Sequence, residues 1–373
     1  MAIRIVPHSP ELSGAVHAFN LRMRAGGSPW GFFVDPVPQW IPKRPGQSVW
    51  REYYVAIDEA NAVHGAFALK PQDWLVRGET HVVTDWQGPF SEGSVDAKHA
   101  TLGLRLIRDM LSKRPLLYSW GHGGNEQPVV QMLKKMGWLV HDTPFFLRIR
   151  KPIRFLRLNA FLRNTAGRRA ALDALAFSGA GYLGIRAMHA FLRLKSLRRF
   201  RATAAVVANF GEWADTLWER CRNRYAAIAV RDAASMNALA PATGWPKVSR
   251  LKIEKSGAVV GWALVMETHM EGDPRFGNMH VGSIVDCLAD PEDAGEVVAA
   301  ASRFLHRSGV DIIASNQSHP AWARGFAENG YLVLRNRRLF AASPALRQCL
   351  EPFAETAQGL HLTNMDGHGP SGF

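Results

Sequence analysis

Three carboxylates in this chain stand on or at the end of apolar runs that read as strands: Asp85, Glu267 and Asp286. A carboxylate withdrawn from water at such a place has a raised pKa, which suits it to accepting a proton near neutral pH. The commoner fate of a strand-end acid is a solvated cap or an ion pair. The turn Gly88-Pro-Phe-Ser91-Glu-Gly93-Ser94, with Lys98 just after it, offers a second kind of chemistry. Glycine and serine ahead of a helix let backbone N–H groups converge on an anion, although the same residues also make an ordinary helix cap. Asp366 and His368 could share a metal ion, but one pair of ligands is weak ground, so no metal is expected. No nucleophile-elbow, phosphate-loop, His-Glu-x-x-His or Cys-x-x-Cys pattern is present.

These residues need elements to hold them. Residues 280–288 are β-branched and apolar, as in a buried strand. Asp290-Pro291-Glu292-Asp293 then opens a helix, with Asp290 as its cap, Pro291 in its first turn and acids at its positive end. Val297, Ala300, Ala301, Phe304 and Leu305 recur on one face. A strand over 310–316, a short helix over 320–329 closed by Gly330, and a strand from Tyr331 complete the run. The same order occurs earlier: a strand over 81–86, a helix over 97–113, a strand over 116–120, a helix over 128–136 closed by Gly137, and a strand over 145–150. From His81 to Gly137 is 56 residues and from His280 to Gly330 is 50, a spacing that predicts internal duplication. Ahead of the first unit lie a strand at 1–6, a helix at 10–23, and a loop at 25–49 rich in Gly, Pro and Trp. That loop is long enough to act as a lid or acceptor loop. Strands at 52–57 and 62–70 form an antiparallel pair. The second unit opens on a capping box, Asn209-x-x-Glu212, and holds a hairpin about Ser256-Gly257. Residues 360–373 read as a disordered or folded-back tail.

This order resembles the GNAT acyltransferase superfamily, through the strand–helix–strand–helix run with Asn316, the helix holding Phe326, and Gly330-Tyr331. The resemblance implies an α/β fold with a mixed sheet. It implies two tandem GNAT-like domains, 1–150 and 202–373, joined by a basic helical connector at 151–201. It further implies acetyl-CoA or another acyl-CoA, or a carrier-protein thioester, as donor to an amine or hydroxyl. The acceptor would be a small molecule or a polymer, with cell-envelope polymers the expectation for tandem relatives of bacterial type. By the same resemblance Asp286, Glu267 or Asp85 is the base. Gly88, Ser91, Gly93, Ser94 and Lys98 face the pyrophosphate, and Asn125 and Asn316 either bond the pantetheine arm or close their helices. The sequence departs from the family in two respects. The glycine pattern of the phosphate cradle is intact in neither half, and Asp290, Glu292, Asp293 and Glu296 would repel a pyrophosphate in the second. The usual tyrosine four residues before the closing glycine is Leu133 in one half and Phe326 in the other, leaving Tyr118, Tyr331 or a water to protonate the thiolate. A rival reading follows from these losses: a catalytically silent tandem module that binds or scaffolds.

The chain of 373 residues can bury two cores, and its three cysteines have neither metal nor redox spacing. The net charge of +13 is local: residues 150–201 hold 13 Lys and Arg against one acid, Asp173. That segment reads as a charged helical connector, solvated or packed on the domains, as an attachment to an anionic membrane surface through Phe155, Leu156, Leu158, Phe161 and Leu162 interleaved with Arg154, Arg157 and Arg163, or, with least support, as a nucleic-acid patch lacking any recognition motif. Residues 1–6 read as a strand and not a signal peptide, and no 18-residue apolar span occurs, so a cytoplasmic or membrane-peripheral protein is expected.

Overall fold

The computed structural model describes residues 3–32, 41–121, 123–194, 198–243, 247–367 and 369. The first half runs β1 (Arg4–Pro7), α1 (Ser13–Ala25), β2 (Glu52–Ile57), β3 (Val63–Val76), β4 (Glu79–Ser91), α2 (Leu102–Lys113), β5 (Leu117–Gly121), α3 (Pro128–Lys135) and β6 (Leu139–Ile149). Three helices follow: α4 (Pro152–Leu158), α5 (Ala166–Phe177) and α6 (Ala180–Leu194). The second half runs β7 (Thr203–Val207), α7 (Glu212–Cys221), β8 (Ala227–Ala229), α8 (Ala233–Leu239), β9 (Val248–Lys255) and β10 (Ala258–His269). It continues through β11 (His280–Ala289), α9 (Ala294–Arg307), β12 (Ile312–Asn316), α10 (Pro320–Glu328) and β13 (Leu332–Ala342). Two short helices, α11 (Pro344–Cys349) and α12 (Phe353–Thr356), lead to β14 (Leu360–His361).

The β3–β4 hairpin is longer than its sequence suggests. Arg77 and Gly78 take φ of 51° and 86°, the left-handed pair that joins strands of natural twist. Pro71, which reads as a break, sits inside β3 opposite Thr84, and its carbonyl accepts from Trp50 N–H. β4 in turn runs through the expected loop at 87–91. It bulges there: the register slips between Ala66 and Ala68, and Gly88 has φ of 106°.

One sheet carries both halves. Its order is β1-β2-β3-β4-β5-β13-β6-β12-β11-β10-β9-β7, with β8 pairing β3 and β14 pairing β8. The last strand of each half is exchanged: β13 lies between β5 and β6, and β6 between β13 and β12, all antiparallel. The sheet therefore runs across the boundaries expected at 150 and 202. Helices cover it on apolar faces. Leu102, Leu106, Ile107 and Met110 of α2 pack on Phe67, Leu69 and Trp86, while α9 and α10 bring Val297, Leu305, Trp322 and Phe326 onto β10–β12. Phe326 stacks on Phe146 of the exchanged strand β6, with centroids 4.4 Å apart and planes at 9°. Fully burying such a ring contributes about 1.5–3 kcal/mol, so this contact helps fasten one half to the other.

Two expected helix caps are not made. α7 begins after Gly211, with no side-chain cap, so Asn209 does not cap it. Asp290 caps nothing: its carboxylate is drawn 2.8 Å from Arg220 Nε, and a 3₁₀ turn at Pro291–Asp293 leads into α9.

Candidate active site

β4 and β5 are parallel neighbours at only two registers, Thr84–Leu117 and Asp85–Tyr118. Beyond them the strands diverge, and residues 86–91 keep one edge without a strand partner among the described residues. At the base of this fork three ionisable side chains form a row across adjacent strands. Lys70 on β3 is opposite Asp85 on β4, which is opposite Tyr118 on β5. Residues at matched register share a face of the sheet, and all three are buried.

The tail closes over this row. Lys70 Nζ donates to the carbonyls of Met365, Asp366 and Gly367 at 2.7, 2.6 and 2.8 Å, and Tyr118 O–H donates to the carbonyl of Asp366. Gly367 lies so near Trp120 that a Cβ there would be 2.9 Å from its ring. Neither Asp85 carboxylate oxygen makes a hydrogen bond of good geometry among the described residues, although the Gln87 side chain favours its ionised form. Burial pushes Asp85 up to about 7, partly offset by Lys70 and Arg51, and pushes Lys70 down to about 8, partly offset by Asp85. Burial also raises the Tyr118 hydroxyl well above its ordinary value.

The second fork, between β11 and β12, is stitched shut. The strands pair from Val281–Ile312 to Ile284–Ser315 and then part. His361 Nε2 reaches the Cys287 carbonyl at 2.9 Å, and Tyr225 O–H donates to the Ala289 carbonyl at 2.7 Å. Asp286 lies inside this fork, held by Arg231: Nε is 3.2 Å from both of its oxygens. Arg231 Nη2 also donates to Asp366 Oδ2 at 2.6 Å, and all three side chains are buried. Two carboxylates share one guanidinium, and burial lifts Asp286 to about 6 against the pull of Arg231. Burial opposes the charge of Arg231, but the two carboxylates hold its pKa above the ordinary value. Asp286 and Asp85 are not at equivalent places: Asp85 belongs to the last β4–β5 pair, whereas Asp286 is two residues past the last β11–β12 pair.

The remaining expected residues are scattered. Glu267 is exposed near the far end of β11, 3.4 Å from His280 Nε2, and does not reach either fork. Gly88 forms the bulge on the free edge of β4. Ser91 Oγ accepts from Gly93 N–H at 3.2 Å, and Ser94 Oγ donates to the Ser91 carbonyl at 2.9 Å. Gly93 is wedged, since a Cβ there would lie 2.2 Å from the His99 carbonyl oxygen. Lys98 is exposed in a separate 3₁₀ turn ahead of α2. Asn125, also exposed, is bonded to Lys134 at 2.9 Å. Asn316 is buried at the end of β12, its amide 3.4 Å from the Pro144 carbonyl. Leu133 and Phe326 are core residues, and Tyr331 is buried against Ser302 at 2.6 Å, so of the two expected tyrosines it is Tyr118 that stands at a fork. His368 lies outside the described residues, and Asp366 is committed to Arg231.

The sequence reading missed Lys70, Arg51 and Arg231. A signal was present: Lys70 and Arg231 each end an apolar run of four or more residues, where a lone cation inside a sheet must find a partner. It also missed a cluster at the turn after β4. His64 Nδ1 is 2.6 Å from Glu92 Oε2, His64 stacks on His99, and one ligand atom from each of the three lies within 4.8 Å of the others. Arg22 Nε already neutralises Glu92 at 2.6 Å, so the cluster reads as an ion-paired brace for the turn.

No family model matches the sequence, and no curated protein matches it. Solved structures do. Saccharomyces cerevisiae N-myristoyltransferase with bound myristoyl-CoA aligns with TM-score 0.53 at 11% identity, over 91% of this chain and 82% of that one. An Enterococcus faecalis protein described as a probable N-acyltransferase aligns with TM-score 0.52 at 9% identity, over 94% of this chain and 75% of that one. The GCN5-related glucosamine N-acetyltransferase region of a fungal multi-domain GH3 β-N-acetylglucosaminidase aligns with TM-score 0.52 at 12% identity, over 91% of this chain and 38% of that one. Identities this low speak of shape and not of chemistry. The chain has a GNAT-like fold, an α/β architecture built on one large mixed sheet.

Proposed function

We propose that the protein transfers an acyl group from an acyl-CoA thioester to an amine or hydroxyl, with the donor held at the β4–β5 fork, and that its two halves are diverged copies of one unit. The observation that carries this reading is the asymmetry of the forks. The free edge of β4 at residues 88–91 is half-exposed, while the corresponding edge of β11 is buried and bonded to His361 and Tyr225. The residues present fit such a donor. A pantetheine arm needs backbone partners along an unpaired edge, and residues 86–91 offer one. A pyrophosphate needs a helix N-terminus with cations and few free acids; Ser94 and Lys98 are exposed before α2, Glu92 is already paired with Arg22, and Asp96 is engaged as a cap, accepting from Lys98 N–H at 2.9 Å. In this reading Asp85 takes the proton released as the acceptor nitrogen or oxygen bonds to the acyl carbon. Tyr118 donates to the departing thiolate sulfur as the C–S bond breaks. Both steps require the tail to give up its Tyr118 contact. A cavity of about 610 Å³ between residues 41–48 and α8 is the proposed entry for the acceptor. It lies apart from the fork but is linked to it: Arg51 N–H donates to the Ile41 carbonyl at 2.8 Å, and Arg51 Nη1 lies 3.4 Å from Gln87 Oε1 on β4. A cell-envelope polymer is the proposed acceptor class.

Calorimetric titration with acetyl-CoA and with a longer acyl-CoA tests the donor site. Binding is expected, weakened roughly tenfold by Lys98→Glu with Ser94→Asp; no heat with any CoA thioester sinks the proposal. Gly93→Asp is a poor probe, because the wedged position would distort the turn whatever its charge. The second reading, a silent binding module, is favoured by the locked Asp286 and the loss of both family tyrosines. It predicts binding without any release of CoA thiol in the presence of amines.

A further inference from the structure

Within the basic segment, Phe155 and Leu156 of α4 are buried and so cannot enter a membrane surface; the exposed apolar side chains lie further on. α5 and α6 form a helical hairpin in which only Ala176 is buried. α6 is nevertheless firmly seated. His189 Nε2 accepts from Ile149 N–H at 3.2 Å, and Nδ1–H donates to the Gly330 carbonyl at 2.8 Å, so the ring is fixed between β6 and the turn before β13. That contact, with Ile185 and Leu192 on the same side, turns the opposite side of α6 to solvent. The outward side is not polar. Leu183, Phe191 and Leu194 are 67%, 61% and 67% exposed, and Phe177 at the hairpin tip is 79% exposed. Spacing of eight and three residues keeps the α6 positions on one stripe.

Around this stripe the charge has one sign. Arg168, Arg169 and Arg186 are exposed with no carboxylate partner among the described residues, and Arg157 lies 5.5 Å from the Phe177 ring. The only acid of the hairpin, Asp173, is taken by Arg163 at 2.8 Å. An exposed apolar stripe set in cations is the pattern of a helix that lies in the interface of a bilayer. At 15 residues, α6 is roughly 22 Å long and cannot cross the roughly 30 Å hydrocarbon core. More generally, no helix among the described residues is long and apolar enough to span a membrane.

We propose that the α5–α6 hairpin docks the protein on an anionic lipid bilayer, with Phe177, Leu183, Phe191 and Leu194 entering the headgroup boundary and the flanking arginines meeting lipid phosphates. Charge complementarity chooses this occupant. A second copy would bring arginine against arginine, and a nucleic acid has no use for the four apolar side chains. The inference does not rest on the acyl-transfer reading.

Flotation of the full-length protein with phosphatidylcholine vesicles, with and without about one-third phosphatidylglycerol, tests it. The protein should float with the anionic vesicles and stay behind with the neutral ones, and salt should weaken binding. Phe177→Ser with Phe191→Ser should lower the bound fraction roughly tenfold or more, and Arg168→Gln with Arg169→Gln should lower it as well. All four positions are exposed, so thermal midpoints should stay within about 2 °C of the parent, which separates loss of docking from loss of fold. No flotation with anionic vesicles overturns the proposal. So does binding that ignores both double variants, or a dimer in sedimentation that the Phe→Ser variant dissolves. Salt-sensitive DNA binding that the Phe→Ser variant retains, with no flotation, would assign the surface to nucleic acid instead.

Discussion

Replacing Arg231 by methionine removes the cation from the centre of the molecule while keeping its bulk. Arg231 Nε faces both oxygens of Asp286 at 3.2 Å, Nη2 reaches Asp366 at 2.6 Å and Thr363 Oγ1 at 3.3 Å, and Nη1 reaches the Ala229 carbonyl at 3.0 Å. Breaking a buried ion pair from one side costs about 3–5 kcal/mol, because the surviving charge is left without a partner. Here two carboxylates survive. Each keeps one backbone donor, Cys287 N–H for Asp286 at 2.8 Å and Thr363 N–H for Asp366 at 2.7 Å, which holds the expected loss near that range rather than at twice it. The loss must depend on pH. Asp286 sits at about 6 in the folded protein, above its ordinary value of 3.8. Between those values the folded state binds more protons than the unfolded one, so this group's contribution falls as pH rises and levels off above about 6. Without Arg231 the folded pKa climbs further, and each added unit extends the fall by about 1.4 kcal/mol. Urea unfolding of parent and Arg231→Met should therefore differ by about 3–5 kcal/mol near pH 8 and by clearly less near pH 5. Adding Asp286→Asn and Asp366→Asn should recover most of the loss, since removing all partners leaves no orphaned charge. A deficit that is the same at both pH values, or smaller than about 1 kcal/mol near pH 8, would show that Arg231 does not neutralise this site.

Two other substitutions test the first half and its seam with the second. If Asp85 is the base, turnover with an amine should rise through about pH 7 as the carboxyl ionises, and Asp85→Asn should lower the rate by about 10²–10⁴ with little change in acyl-CoA affinity; an acid limb near pH 4 would contradict the buried setting. Phe326→Ala empties the stack on Phe146 and on Tyr331 and should cost about 3–5 kcal/mol in urea unfolding; a cost below about 1 kcal/mol would refute the burial of that ring.

The elements nearest the two Gly-closed helices were legible because their signals are local. The apolar run from His280, the acid-rich start of α9, and Gly137 and Gly330, both with positive φ, each speak for themselves over a turn or two of chain. The β3–β4 hairpin was only half legible. Its turn, Arg77-Gly78, lacks the usual Asn-Gly signature, and Pro71 and Gly88-Pro89 imitate loop boundaries inside strands. The capping residues at Asn209 and Asp290 were misread for a different reason: a nearby arginine, or a different starting residue, competes for the same group, and sequence spacing carries no word of it.

Composition and periodicity by themselves determined that this chain would fold as strands and helices in a repeated order and that nearly all its net charge would sit in one segment, whereas the mixed α/β sheet was implied by the resemblance to GNAT acyltransferases. They did so because helix and strand periods, caps and charge counts are properties of neighbouring residues. Tertiary structure alone decided that β6 and β13 change places, that residues 360–367 are buried, and that Asp85 stands in a row with Lys70 and Tyr118 while Asp286 is bound to Arg231. Lys70 meets the Asp366 carbonyl across 296 residues of chain. Contacts at that separation are selected by the packing of the whole, and no local pattern encodes them.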